Sequence, residues 1–490
     1  STDNRKDIKP HWKSDGGRDN LDNLYSSILK RSKMNPFYIN GLPVKANGLE
    51  QHPLTQISEQ AGRDTRKWMN TNVNMFAEYD APFLKGLKFK FQYSRNTYNR
   101  LYKEVAMPYT LYTFETSGTN GHYIDPSKNP QVTGTDVRGG DRFIKKTSAL
   151  YSDYQMNFFV TYDRTFGKHD IGALFVYEQA EGENESFDAQ RNGLLTWTMP
   201  EFHAASSDAS QSIVGNGSVG ESGRLSYVGR LNYAYDDKYL LEAAFRVDGS
   251  TKFAPNKRWG FFPSVSAGYR ISEEKFWKES PLNFINNFKI RTSWGVLGDD
   301  SAARYQHITG YKYPSDGGSV FDGQYISTST STGIPNKAIT WYESRTFNVG
   351  IDAEAWNGLL GVTAEYFNRR RSGLLTTRAG SLPGVVGATL PQENLNGDLT
   401  QGFEIELTHR HHVNDFYYQI KGNIAYTRTK NTHVETSRAG NSYENWKNNT
   451  SNRYNNITWG IEGAGRLESW DEIWHNPIFI ARGSILGDYE

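Results

Sequence analysis

The chain has no cysteine in 490 residues, which excludes disulfide scaffolds, thiolate zinc sites, thiol nucleophiles and sulfur redox chemistry together. It also has no excess of either charge. With 55 Lys and Arg against 54 Asp and Glu, there is no electrostatic reason to expect a nucleic-acid partner. No apolar run approaches the roughly 18 residues that a membrane-spanning helix needs. No Pro/Ser-rich or charge-block linker divides the chain, so it reads as one architecture throughout. The opening residues Ser1 to Lys6 carry no charged-then-apolar signal pattern, so any export signal is expected to have been removed or to lie upstream.

A mean hydropathy of −0.70 would ordinarily point to a soluble protein, but a transmembrane β-barrel escapes that inference. Its strands are apolar on one face only and its loops are polar, so the average stays low while each strand keeps a lipid-facing row. Aromatic residues make up 14% of the chain, with 30 Tyr and 12 Trp, which suits a wall needing rings at two membrane interfaces. A tyrosine-rich soluble β protein fits the composition equally well.

The pattern of residues goes further. From Leu225 to Tyr235, Leu and Tyr alternate with Ser226, Arg230, Asn232 and Ala234, the period of two that separates the faces of a strand. Asp236-Asp237-Lys238 reads as a tight turn, and the return strand alternates Tyr239, Leu241, Ala243, Phe245 and Val247 with Glu242, Arg246 and Asp248. Similar strands are expected at Trp68–Tyr79, Gly86–Tyr98, Leu150–Tyr162, Lys168–Ala180, Trp259–Arg270, Phe288–Leu297, Ser344–Ala355, Leu359–Arg370, Leu399–His411 and Asp415–Arg428. That makes about twelve between 68 and 428, with 1–67 and 429–490 mainly loop. Lengths of about 10 to 13 residues exceed the usual globular strand but suit a tilted bilayer crossing.

Connections alternate between short and long. They are brief at 80–85, 163–167, 236–238, 356–358 and 412–414, and extended at 99–149, 181–223, 298–343 and 371–400. Loops beyond about 15 residues are uncommon in compact soluble domains, whereas a barrel with brief periplasmic turns and long extracellular loops requires this rhythm. The exception is 271–287, on the short side, where Phe276-Trp277-Lys278 suggests a small helix at the rim. The fold expected is therefore all-β, a transmembrane antiparallel β-barrel with long extracellular loops in the bacterial outer membrane.

Motifs for chemistry are weak. Gly215-Asn216-Gly217-Ser218-Val219-Gly220 matches a dinucleotide fingerprint, yet an alternating strand follows where that motif needs a helix. His409, His411 and His412 beside Asp415 suggest a metal cluster, but adjacent strand residues point to opposite faces, so a polar rim turn is the better reading. Glu404 and Glu406 share a strand face, the minimum for a glycosidase; charge lining a lumen is the commoner explanation. No cofactor, metal site or catalytic residue is expected.

Candidate functional residues follow from the alternation. Arg230, Asn232, Glu242, Arg246, Asp248, Arg270, Lys289 and Arg291 should gather on one side of neighbouring strands, lining a lumen; a solvated sheet face is the alternative. Leu231, Tyr233, Leu241, Phe245, Trp259 and Trp294 should face lipid. Tyr305, Tyr311, Tyr313, Phe321 and Tyr325, in a long loop, could stack on sugar rings or peptide side chains, or simply pack the loop.

The stretch Leu225-Ser-Tyr-Val-Gly-Arg-Leu-Asn-Tyr233 through Phe245-Arg-Val-Asp-Gly-Ser-Thr-Lys-Phe253, followed by Arg258-Trp-Gly-Phe-Phe-Pro-Ser-Val-Ser-Ala-Gly-Tyr-Arg270, resembles the SusC/RagA family of TonB-dependent outer-membrane transporters. The likeness continues through Phe288 to Gly298, Trp341-Tyr342-Glu343, Asn348 to Asp352 and Gly402 to Glu406. It extends upstream to His52-Pro-Leu-Thr55 and Phe83 to Phe89. The resemblance implies a 22-stranded barrel around an N-terminal plug, capped by a SusD-like surface lipoprotein. It further implies import of glycans or oligopeptides with energy from the TonB complex, and no enzyme activity. No plug or TonB box is recognised, and the chain stops at Gly487-Asp-Tyr-Glu490 where the family would continue into its last strands. Because an open half-barrel leaves unpaired edges in lipid, these residues are expected to be part of a longer polypeptide. A passive porin or scaffold, and a β-rich glycosidase, stand as alternatives.

Overall fold

Backbone groups inside a bilayer have no water to bond, so a strand crosses only when both neighbours complete its hydrogen bonds. The structure, a computed structural model, gives the inner strands of its main sheet that arrangement, and the two end strands pair on one side among the described residues. It describes residues 2–10, 28–29, 31, 35–45, 52–119, 121, 123–215, 217–313, 318–378, 388–437, 440–458, 460 and 469–475; the Gly487 to Glu490 end falls outside them. One sheet runs through β1 (Thr2–Pro10), β2 (Gly62–Asp80), β3 (Leu87–Ala106), β4 (Phe143–Phe166), β5 (His169–Asn192), β6 (Ser218–Tyr235) and β7 (Tyr239–Ser250). It continues through β8 (Trp259–Arg270), β9 (Ile285–Asp299), β10 (Tyr342–Ala355), β11 (Leu360–Thr377), β12 (Gln392–Val413) and β13 (Phe416–His433). Every strand pairs antiparallel with its chain neighbour, and Ser212–Val214 adds a short flank to β5.

All twelve strands expected from alternation are present, but most run further. β4 and β5 have 24 residues each; at about 3.3 Å per residue they extend roughly 80 Å. With a tilt near 40° that is a height of about 60 Å, against an apolar band of about 25 Å. The long loops expected at 99–149 and 181–223 are thus partly strand: β3 runs on to Ala106, β4 begins at Phe143 and β5 ends at Asn192. Above the membrane both faces meet water, so segments such as Glu181–Asn192 lose their apolar row while keeping their ladder. β1 falls in a stretch expected to be mainly loop. Its sequence, TDNRKDIKP, offers no apolar alternation, and it is held by backbone pairing from Thr2↔Thr71 to Pro10↔Arg63.

Short connections at 81–86, 167–168, 236–238, 271–284, 356–359 and 414–415 all lie at one end of the sheet. Those at 107–142, 193–217, 251–258, 300–341 and 378–391 lie at the other. The tight end is built by turn chemistry. Asp236 and Asp237 both take φ of 54°, the paired left-handed geometry whose twist matches a two-residue hairpin. Lys168 and Lys238 neutralise Asp236 at 2.9 and 3.7 Å. Gly86 has φ +95°, and a Cβ there would overlap the Asp163 carbonyl. The small helix expected near Phe276 is present as Lys275–Lys278; Trp277 donates to the Ile285 carbonyl at 3.1 Å and stacks on Phe288.

Cores of the soluble kind occur at the long-loop end. Phe253, Phe262, Val296, Ala302, Ile339 and Trp341 form one; Ile39, Val44, Phe114 and Ile124 form a second; Val105, Ile144, Leu194 and Ala204 form a third. Along the wall itself one face is apolar and uncovered. Leu231, Leu241, Phe245 and Trp294 are 51%, 50%, 40% and 41% exposed, where a sandwich would press them against a second layer.

Candidate functional site

The pairing register separates the two faces. Leu231 opposes Ala243, Ala243 opposes Val265 and Val265 opposes Trp294, so Leu231, Tyr233, Leu241, Phe245, Trp259 and Trp294 share the apolar face. Asn232 opposes Glu242, Arg246 opposes Phe262 and Arg270 opposes Lys289. That register puts Arg230, Asn232, Glu242, Arg246, Asp248, Arg270, Lys289 and Arg291 together on the polar face. Rings band the apolar face at two heights. Tyr235, Tyr239 and Tyr269 meet near the short turns, and Tyr177, Tyr227 and Trp259 meet higher up. Tyr227 and Tyr235 are eight residues apart on β6, roughly 26 Å along the strand and about 20 Å of height at the same tilt, near the apolar band of about 25 Å.

The polar face is tied by charge across strands. Arg246 on β7 bonds both Asp248 carboxylate oxygens at 2.7 and 2.8 Å, Glu178 of β5 at 2.8 Å and Ser226 of β6 at 3.0 Å. Gln155 of β4 donates to the other Glu178 oxygen at 3.1 Å. A second group joins Lys289 and Arg291 of β9 to Asp352 of β10 at 3.3 and 3.2 Å, and Arg291 to Glu365 of β11. Arg371 and Asp398 pair between β11 and β12, and Lys421 of β13 reaches Glu406 at 2.8 Å. Ion pairs like these hold neighbouring strands in register while leaving donors and acceptors on the inner surface.

At the long-loop end the polar face carries a cleft of about 260 Å³ with a floor of Ala180, Gly182, Ser222 and Ser250. It is continuous with a larger one of about 640 Å³ that shares Asp153, Gly182, Ser222, Lys252 and Arg304. The 300–341 loop docks here through Asp300, which accepts from Ser250 at 2.7 Å and pairs with Arg224 at 3.2 Å and Lys252 at 3.5 Å. Arg304 lines both clefts and a third of about 440 Å³ on its other side. Its guanidinium donates to Asn184 at 3.2 Å. The next residue, Tyr305, sits at φ 64° with its ring half exposed, a backbone state that costs a non-glycine residue about 1–2 kcal/mol.

Of the residues singled out from sequence, Arg246 and Asp248 meet in one ion-pair group, Lys289 and Arg291 in another. Among the described residues Arg230, Glu242 and Arg270 make no ion pair, and the side-chain amide oxygen Oδ1 of Asn232 is buried without a hydrogen-bond partner. Tyr305 lines the cleft; Tyr311, Phe321 and Tyr325 are exposed on short paired strands at 311–312, 318–321 and 324–327, and Tyr313 is exposed just after the first of them. Glu406 is neutralised by Lys421, and His411 and His412 stand on opposite faces against Tyr418 and Tyr417. Sequence reading missed Glu178, Lys252, Asp300 and Arg304. Glu178 lies on an expected strand, but its partner Arg246 is set by register; the other three sit in connections with no periodic signal.

A further ionic anchor lies outside the membrane-spanning region. Glu201, in the 193–217 connection, accepts from Lys103 at 2.7 Å and Lys146 at 2.8 Å. Those bonds hold its carboxyl down from an ordinary 4.5 to about 2. The stabilisation is complete above about pH 4.5 and disappears as pH falls through about 2. Because all three side chains are partly exposed, the pair contributes about 1 kcal/mol or less. Glu201→Gln should speed amide hydrogen exchange in 193–205 several-fold at pH 7, and leave exchange in 262–268 unchanged.

A sheet with an uncovered apolar face banded by rings, an ionic opposite face, and tight turns at one end only is the wall of an outer-membrane β-barrel. The chain belongs to the TonB dependent receptor-like, beta-barrel family, whose model matches residues 8–487. It is 24% identical over 373 residues to TonB-dependent receptor P3 of Formosa agariphila, covering 76% of this chain and 34% of that protein. It is 27% identical over 290 residues to TonB-dependent receptor SusC of Bacteroides thetaiotaomicron, covering 56% and 27%. Among solved structures, the RagAB peptide transporter superposes with a TM-score of 0.60 at 22% identity, over 76% of this chain and 37% of the other. The chain thus spans about a third of the length of the relatives it matches.

Proposed function

We propose that this chain forms wall and outer-loop structure of a TonB-dependent importer of oligomeric nutrients, glycans or oligopeptides, working with a SusD-like surface lipoprotein. In this reading the polar face lines the lumen, the clefts around Arg304 receive solute at the outer mouth, and TonB supplies the energy that opens the path. The observation that carries it is the uncovered apolar face set back to back with an ion-paired polar one. That combination gives a lipid-facing and a solute-facing surface to the same strands. The likeness to SusC and to the RagAB peptide transporter supports an oligomeric cargo.

Deleting the gene in its host should abolish growth on one class of oligomer and spare growth on the corresponding monomers. Depleting TonB should reproduce the defect. Oligomer uptake that persists without TonB would favour the passive porin instead, and unchanged uptake in the deletion strain would overturn the import reading altogether.

A further inference from the structure

The connection at 271–284 is larger than a turn needs to be. The other joins at that end of the sheet close in two to six residues, while this one takes fourteen, from Ile271 to Phe284. Several of them are apolar and cover nothing. Phe276 is 62% exposed and Leu282 46%. Phe284 stacks on Trp356 of the neighbouring turn with ring centres 5.1 Å apart, and both rings remain exposed.

Register fixes the side of the wall on which this segment lies. Lys289 and Arg291 are on the polar face of β9, so Phe288 and Ile290 are on the apolar one. Trp277 stacks on Phe288, rings 5.0 Å apart and 3° from parallel, which sets the helix Lys275–Lys278 outside the wall. Glu274, just before that helix, accepts from the hydroxyls of Tyr239 at 2.9 Å and Tyr269 at 3.3 Å, and from Lys238 at 3.2 Å. Both tyrosines belong to the ring belt near the short turns. The segment is thus strapped across the outer surface of the wall at the level of that belt.

We infer that 271–284 is an in-plane membrane anchor, a foot whose partner is the phospholipid surface of the periplasmic leaflet. The apolar face of the sheet already meets lipid beside it, so the foot continues that interface. Phe276, Trp277, Leu282 and Phe284 suit the boundary where acyl chains meet headgroups. Lys275 and Lys278 can keep their ammonium groups in the hydrated layer on long stems. Lys278 pairs with Glu273 at 2.7 Å, and three glutamates stand against two lysines in the segment, so the attraction is to the boundary itself and not to anionic headgroups. A soluble periplasmic partner would have to approach along the lipid-facing side of the wall, where the bilayer already stands.

The test uses the full-length protein that carries this chain, folded into phosphatidylcholine vesicles. Because the chain has no cysteine, Phe276→Cys places a single thiol in it for a fluorescent label, any cysteine elsewhere in the protein being changed to serine first. Asp415→Cys, in a two-residue turn at the same end, is the water-exposed control. Phospholipid brominated close to the headgroup end of its acyl chains should quench the Phe276 label several-fold more than the control, and iodide on both sides of the bilayer should do the reverse. Heat-modifiable migration on gels shows that each variant is folded, and Leu282→Cys repeats the measurement at an independent position. A label at 276 or 282 quenched by iodide as strongly as the control places the foot in water. A label sheltered from both quenchers places it against protein. Either result overturns the inference.

Discussion

Leu231→Arg should lower the equilibrium stability of the inserted barrel by about 2–4 kcal/mol, whereas Asn232→Arg, one residue along, should change it little. Leu231 lies four residues from each of Tyr227 and Tyr235 on the apolar face, at the centre of the band that the two ring belts bound. A guanidinium there meets the full cost of entering hydrocarbon, and the cost falls to about 0–1 kcal/mol near an interface. Tyr235→Arg should therefore sit between the other two. Urea-dependent folding of the full-length protein into lipid vesicles measures all three. Equal penalties at 231 and 232 would mean that the sheet does not separate lipid from water, and the membrane assignment would fall with it.

Trp341→Ala should remove about 3–5 kcal/mol, the usual consequence of emptying a buried indole site. Trp341 is 8% exposed, packs edge-on to Phe262 with ring centres 5.3 Å apart, and donates from Nε1 to the Arg258 carbonyl at 2.9 Å. The loss falls on the cluster that seats both ends of the 300–341 connection, so the cleft beside Arg304 should loosen while the strands below stay paired. Hydrogen exchange should accelerate in 253–262 and 300–312 and remain slow in 264–268. Solute affinity should fall with the exchange. Unchanged protection in 300–312 would show that the loop is held by Asp300 and its partners instead.

How much was legible depends on which solvent each face meets. Trp259–Arg270 is a strand with the same bounds in sequence and structure, because it alternates along its length apart from Phe262, which turns into the core, and turn residues close both ends. Leu150–Tyr162 was found but its flanks were not: β4 extends from Phe143 to Phe166, and at Phe143–Ser148 alternation gives way to a local pack with Leu194 and Ala204. β1 left no periodic trace, being charged on both sides. The polar face was readable as a row, since Arg246 and Asp248 are two apart on one strand. Its partners were not, since Glu178 and Ser226 are fixed by strand register. Arg304 was hidden for another reason: nothing local distinguishes it, and its place comes from a loop carried back onto Asn184, 120 residues earlier.

The strands differ twofold in length around the sheet, and this shapes the mouth. β4 and β5 have 24 residues, β7 and β8 only 12, a difference of roughly 40 Å along the strand. The rim is consequently notched, a tall parapet on one side and a low sill on the other. The 300–341 segment is seated in that notch, pinned by Phe253, Phe262 and Trp341. Arg304 therefore stands below the crest of the parapet, so anything it holds has already passed the top of the wall and is sheltered on one flank before any gate has moved.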